Sequence, residues 1–416
     1  MYEHIPKTSI VVQKYGGTSV GNLEKIQAIA DRVVSQVNAG WTRLAIVVSA
    51  MAGETNRLVG MVEQIHPKAR SKSYDMAIAA GEQVSVGLMA AALEAKGLRA
   101  EPLLGYQLGV LTDEHHSRAR IHSIQTDKIH QAWARGEIPV VAGFQGMASN
   151  QAITTLGRGG SDTSAVALAV ALNAAFCEID TDVDGVFTAD PRLVKHAKLI
   201  ERLEYDVALE LAASGGKVLH NRCVELAAKN RLPLVVRNTF APETGGRTVI
   251  MAFDEKEALE APLVSGVTLD KDVAKVTLRN WRKENGPLLN VFSRVAKKGV
   301  NVDIIIYDAP DKTGSASVGF SVPDSELHLV REVIETFKSE TGGTGLEMES
   351  LGGLAKISAV GLGMRSQSGV ASRLFESLSR AEIEILMIST SEIKISCVVH
   401  ADQAQKVMQT IHDTFL

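Results

Sequence analysis

VQKYGGTSVG at residues 12–21 and TTLGRGGSDTSA at residues 154–165 decide the reading of this chain. Each leads from strand-forming residues through a glycine turn into a helix-like pattern. Glycine lets a backbone approach a ligand closely, and a helix start offers unpaired N–H groups at a positive dipole end. Lys14 stands beside the first turn, and Arg158 and Asp162 stand beside the second. Two anion cradles with charged lips predict a phosphate-bearing ligand and a charged partner for it.

Outward from these turns, apolar runs at 9–15, 44–50, 138–144 and 176–180 alternate with helical patterns. Asn22 is placed to cap a helix whose apolar face carries Leu23, Ile26, Ile29, Ala30, Val33 and Val34. An Ala-rich stretch from Tyr74 to Lys96 reads as one long helix, and residues 217–230 read as another, followed by the strand LPLVVRN. The alternation predicts α/β architecture on a mainly parallel sheet over 1–250. Residues 251–262 read as a connector. The remainder of the chain is a repeat: DVAKVTLRN and the run at 286–308 are echoed by LAKISAVG and the run at 368–390. Each copy reads βαββαβ, so two α+β modules are expected at 263–342 and 350–416.

The chain has 416 residues, 45% of them hydrophobic and only 5% aromatic, with 35 glycines. That balance suits an α/β chain with many tight turns. A formal charge of −4 without a basic block gives no support for a nucleic-acid partner. Cys177, Cys223 and Cys397 are scattered and lack metal-ligand spacing, which predicts buried thiols and neither disulfides nor zinc. The first residues lack the pattern of a signal peptide, and no apolar run reads as long enough to cross a bilayer. A cytoplasmic protein without membrane contact is expected.

The motifs KYGGTSVGN (14–22), VVSAMAGETNRL (47–58), GEQVS (81–85), VVAGFQG (140–146), TTLGRGGSDTSAVALA (154–169), TDVDGVFTADPR (181–192), KVLH (217–220) and MISTSEIKIS (387–396) together resemble the aspartate kinases. These are amino-acid kinases with two C-terminal ACT domains. A P-loop and the HRD and DFG motifs of protein kinases are absent. The resemblance implies a three-layer α/β sandwich followed by two ACT modules. It also implies transfer of the ATP γ-phosphoryl group to the β-carboxylate of L-aspartate. The product, 4-phospho-L-aspartate, opens lysine, threonine, methionine and diaminopimelate biosynthesis. Two other readings stay open, a kinase of another acidic amino acid and a catalytically silent amino-acid sensor.

By the same resemblance, Lys14 sits at the transferring phosphoryl group. Tyr15, Gly16 and Gly17 face the ATP phosphates, with Thr18 and Ser19 as hydroxyl donors. Arg158 suits the α-carboxylate of aspartate because a guanidinium fork binds it bidentately. Glu82 and Asp162 face its ammonium; Asp162 also reads as a helix N-cap. Ser49, Thr55, Gly159, Gly160 and Ser161 complete the acceptor pocket. Thr181, Asp182, Phe187, Thr188, Ala189, Asp190, Pro191, Arg192 and Lys217 surround the nucleotide. Asp180 stands where the family commonly has Tyr, which would weaken nucleotide affinity if it touched that ligand. The acidic positions 180, 182 and 184 lack the later Glu of a calcium loop. Mg2+ is expected to arrive on ATP, without an assigned protein ligand.

ACT modules imply an amino-acid effector, lysine or threonine or both, and a homo-oligomer built through these modules. Gly286, Asn301, Asp303 and Gln367 are the effector candidates. The first module departs from the family pattern at Lys283, Glu284, Asn285 and Pro287, and again at Tyr307 and Asp308. Altered or lost feedback inhibition is therefore expected.

Overall fold

The computed structural model describes residues 5–67, 70–216, 218–242, 244–254, 262–282, 286–310, 312, 314–340, 345–364 and 369–416. Two compact units divide the chain. The first comprises Met1–Phe187, Lys198–Ala213 and Lys217–Ala258; the second comprises Thr188–Ala197, Ser214–Gly216 and Leu259–Leu416.

The main sheet of the first unit has eight strands. Their order is Arg202–Leu203, Arg247–Ile250, Leu234–Asn238, Phe176–Thr181, Val11–Tyr15, Leu44–Val48, Glu137–Ala142 and Arg99–Leu103. Every ladder is parallel except that between Leu234–Asn238 and Arg247–Ile250. Val11–Tyr15 and Leu44–Val48 are buried at every position, as continuous apolar strands must be when both sheet faces are covered. Val11–Tyr15 lies between strands that come much later and directly after it, so the winding reverses there. Such a switch point leaves a crevice beyond the carboxyl ends of the strands. Lys14, Ser49 and Phe144 lie at those ends.

The helix Leu23–Asn38 begins as expected, with the Asn22 side chain accepting from the Lys25 N–H at 2.9 Å. Ile26, Ile29, Ala30 and Val33 pack into the main core, whereas Leu23 is 54% exposed and leaves the expected face. Ile29→Ala would cost about 2–5 kcal/mol through the cavity it leaves. The long Ala-rich helix breaks at Ala79 into Lys72–Ile78 and Ala80–Ala95. Within Lys72–Ala95 an 18-residue window reaches a mean hydropathy of 1.5, apolar enough by length and composition alone to cross a membrane. The stretch occupies the place of a core helix, burying Val86, Met89 and Leu93 among the strands. A four-stranded satellite sheet, ordered Ile121–Ile124, Val110–Thr112, Gln145–Ala148 and Ile153–Thr155, leads into the second glycine turn.

In the second unit one antiparallel sheet runs Ile305–Asp308, Ala316–Val322, Gly266–Trp281, Glu347–Val360, Lys394–His400, Met387–Thr390. The two repeat copies interleave through its long central strands. Ala274–Trp281 pairs with Ala316–Val322, while Gly266–Asp270 pairs only with Lys356–Val360. The faces of this sheet bury three apolar clusters: a small one around Leu354 and Val398, one centred on Val276, Phe320 and Ile334, and one centred on Val267, Ile357 and Met408. Ala189 and Val194 are buried in the last of these. Beside them the Thr188 carbonyl accepts from the Val267 N–H at 2.7 Å, and the Thr188 hydroxyl meets His412 Nε2 at 3.0 Å.

Candidate active site

The strand Val11–Tyr15 ends by delivering Lys14 to an open pocket of about 450 Å³. Lys14, Gly17, Ser49, Thr55, Glu82, Arg158, Gly159, Gly160, Ser161 and Asp162 all line it. Residues from both glycine turns thus meet around one cavity. The first turn is packed tightly: a Cβ on Gly17 would lie 2.8 Å from the Ala50 carbonyl oxygen. The second turn passes through left-handed backbone at Gly157 (φ 79°) and Gly159 (φ 67°), conformations that glycine adopts without steric cost. Gly159 caps the helix Gly160–Ala171, so Asp162 lies in its first turn and is not its N-cap.

Asp162 instead turns to Lys14, with Oδ1 2.6 Å from Nζ. Glu82 is 3% exposed; its Oε1 accepts from the Ala50 N–H at 3.0 Å, while Oε2 has no hydrogen-bond partner. Burial pushes the Glu82 carboxyl up to about 7, and the Ala50 N–H opposes that rise. Arg158 is exposed and has no carboxylate partner among the described residues. Two cations and two carboxylates therefore face one cavity, with Arg158 and one Glu82 oxygen uncommitted. Such a set matches a small ligand that carries both carboxylate and ammonium groups.

Several expected contacts fall elsewhere. Tyr15 is fully buried, and its hydroxyl donates to Gln13 Oε1 at 3.3 Å, so its ring cannot reach a nucleotide. The Gly16 N–H donates to the Asp180 carbonyl at 3.1 Å, and the Ser19 hydroxyl meets Thr239 Oγ1 at 2.6 Å; neither is left for phosphate. Asp180 is also fully buried, its carboxylate paired with Arg32, so its side chain does not face a nucleotide. Thr181, Asp182 and Phe187 lie in the first unit, outside the pocket lining. Thr188 to Arg192 belong to the second unit: Thr188 and Ala189 are buried there, and Arg192 pairs with Asp190 at 2.7 Å. Lys217 lies outside the described residues, as do Gln367, Lys283, Glu284 and Asn285. Of the other effector candidates, Gly286 has φ 73°, Asn301 is exposed, and Asp303 forms an ion pair with Lys356.

The pocket also uses residues that the motifs did not single out: Asn56, Tyr74, Ile78, Ser117, Phe144 and Thr155. Ser117 and Phe144 hold left-handed backbone, with φ 66° and 67°. Among the described residues no group of His, Cys, Asp and Glu is arranged to hold a metal ion. The three cysteines are buried and free, and burial raises each thiol above its ordinary value.

An α/β unit with paired glycine turns and opposed charges at a switch point defines a class of anion-handling enzymes. The amino acid kinase family model matches residues 9–238, an ACT domain model matches residues 357–415, and the chain belongs to the amino acid kinase family. It is 43% identical to the aspartokinase of Geobacillus stearothermophilus, over 98% of this chain and 97% of that one. Among solved structures it resembles E. coli aspartokinase III in complex with aspartate and ADP (R-state). The TM-score is 0.76 at 26% identity, covering 97% of this chain and 99% of that one. The same enzyme with lysine and aspartate (T-state) gives 0.74 at 25%, covering 98% and 99%.

Proposed function

We propose that the pocket joins ATP to L-aspartate, and that the chain is an ATP-dependent aspartate kinase forming 4-phospho-L-aspartate. The observation that carries this is the convergence of Lys14, Arg158 and half-unpartnered Glu82 on one cavity. Arg158 grips the α-carboxylate and Glu82 the ammonium, which aims the β-carboxylate at the terminal phosphate. A carboxylate oxygen forms the new O–P bond as the bond to the ADP oxygen breaks. The nucleophile is already ionised, so no general base is needed.

Lys14 releases Asp162 toward the substrate ammonium and draws charge from the transferring group. Gly17 and Thr18 border the phosphates, and Ser49, Thr55, Gly159, Gly160 and Ser161 enclose the acceptor. Thr181, Asp182 and Phe187 are the nucleotide candidates of the first unit; Asp190, Pro191, Arg192 and Lys217 remain candidates by resemblance alone. Mg2+ arrives on ATP, held by phosphate oxygens and water. The product serves lysine, threonine, methionine and diaminopimelate synthesis, as in the family.

The division of labour matches the repeat: catalysis in 1–250, regulation in 263–342 and 350–416. Lysine or threonine is the proposed effector, with altered inhibition, since Asp303 is already committed to Lys356. The edge strand Ile305–Asp308, exposed along its length, supports pairing with a second copy. A hydroxamate assay with ATP, Mg2+ and aspartate tests the reading, with glutamate and N-acetylglutamate as competing acceptors. Lys14→Ala should lower kcat about 10²-fold or more. Equal turnover of glutamate, or an unchanged Lys14→Ala variant, would overturn it. Repeating the assay at millimolar lysine and threonine tests regulation, and strong inhibition by either refutes its loss.

A further inference from the structure

Beneath the acceptor side of the pocket lies a carboxylate that the mechanism does not use. Asp75, on the helix Lys72–Ile78, is completely buried. Its Oδ1 accepts from the Ser117 N–H at 3.0 Å and from the Thr155 hydroxyl at 2.6 Å. Its Oδ2 lies 2.6 Å from His116 Nδ1 and 3.2 Å from the Ser117 nitrogen. One side chain therefore ties together a helix, the loop 113–120 and the strand Ile153–Thr155. Tyr74 beside it on the helix, Ser117 on the loop and Thr155 on the strand all line the pocket.

The tie reaches Arg158 through direct packing. Ser117 is held in left-handed backbone, and its carbonyl oxygen would lie 2.8 Å from a Cβ on Gly157. Gly157 immediately precedes Arg158, so any shift of Ser117 is passed to the arginine's own turn. On the other side of the same junction, Arg222 donates to the Leu156 carbonyl at 3.0 Å and to the Ala119 carbonyl at 2.8 Å. Loop and turn are thus fastened together from two sides, by Arg222 and by Asp75.

We propose that Asp75 is a positioning residue for the amino-acid acceptor: it locks the loop 113–120 against the turn 157–160 and so fixes where Arg158 meets the substrate carboxylate. The proposal rests on the aspartate kinase reading of the pocket. It separates acceptor from nucleotide, because the lock borders the Arg158 side and touches neither Lys14 nor Gly17.

The donors on Asp75 distinguish its variants. In Asp75→Asn the carbonyl oxygen can keep the Ser117 and Thr155 bonds, and the amide can donate to His116 Nδ1 in its other tautomer. Asp75→Leu keeps the bulk and loses every bond. Expected for Asp75→Leu is a rise of about tenfold or more in the KM for aspartate, with the KM for ATP unchanged within about twofold. Asp75→Asn should stay within about threefold of wild type. Should Asp75→Leu fail to fold, Thr155→Val removes one donor at constant shape, and a rise in the aspartate KM alone is expected. Amide exchange across 113–120 gives a readout independent of turnover, with faster exchange expected in Asp75→Leu or, if that does not fold, in Thr155→Val. Wild-type turnover of aspartate tests the parent reading separately. A folded variant with a lower melting temperature and an unmoved aspartate KM overturns the proposal, as does unchanged exchange of the loop.

Discussion

Replacing Arg32 by Met removes the cation between two fully buried carboxylates, Glu178 and Asp180. Burial, with Asp180 close by, holds the Glu178 carboxyl well above its ordinary value, and Arg237 opposes that rise. Breaking a buried ion pair from one side costs about 3–5 kcal/mol, because the remaining charge keeps its desolvation penalty. Arg237 is itself buried and electrostatically coupled to this group, which places the expected loss near the low end, about 3 kcal/mol. For a unit of this size that corresponds to a melting shift of roughly 6–12 °C. In the variant the Glu178 carboxyl, without its Arg32 partner, has a folded pKa raised above its unfolded value. Folding then takes up protons, so stability is lost as pH rises from the ordinary carboxylate range through the folded value. The deficit against wild type should be clearly smaller at about pH 5 than at about pH 8. Urea unfolding of both proteins at the two pH values measures it. A deficit below about 1 kcal/mol, or one equal at both pH values, would refute the reasoning.

Four further outcomes are expected from the pocket. With Glu82 near 7, the KM for aspartate should fall as pH rises through that value, and Glu82→Gln should flatten the profile while raising the KM about 10- to 100-fold. The raised carboxyl also destabilises the ligand-free enzyme as pH climbs from 4.5 toward 7, so Glu82→Gln should unfold later than wild type at about pH 8, by up to about 3 kcal/mol. Gly159→Ala places a Cβ 2.3 Å from the His220 Cβ at φ 67° and should lose about 1–2 kcal/mol from backbone strain plus the displacement of His220. Gly53→Ala, with φ 83° and open space around it, should lose only the strain, which thermal melting of the pair would reveal. Excess EDTA should stop turnover and leave the circular dichroism unchanged, because no group of metal-ligating side chains is found among the described residues.

Local chemistry made much of this legible. Glycine turns, the Asn22 cap and the apolar runs at 11–15 and 44–48 act over a few residues, and their sequence states their structure. Lys14, Arg158 and Asp162 were legible as charges beside those turns, whereas Glu82 was placed with them only by the resemblance of its GEQVS run. Tyr15 failed because its ring faces inward on a strand buried on both faces, where alternation gives no signal. Asp75 and Ser117 escaped notice because their meaning lies in contacts between residues far apart in the chain. Helical periodicity carries across Ala79 without a break in pattern; at the break the Ala79 carbonyl accepts from Gln145 Nε2 at 3.0 Å, and Gly81 approaches Ala50 closely, both contacts distant in the chain. Repeat matching pointed to two modules but could not see that the long strands of the two copies share one sheet.

The excursion of residues 188–197 has a bearing on how this enzyme could be cut apart or recombined. A fragment ending near residue 250 would carry Ala189 and Val194 without the side chains that shelter them, presenting sticky surface to its neighbours. Shuffling of such parts, in the laboratory or over generations, must therefore move the sheltering piece along with the borrowed stretch, and a single splice at the connector would yield aggregates instead of an unregulated kinase.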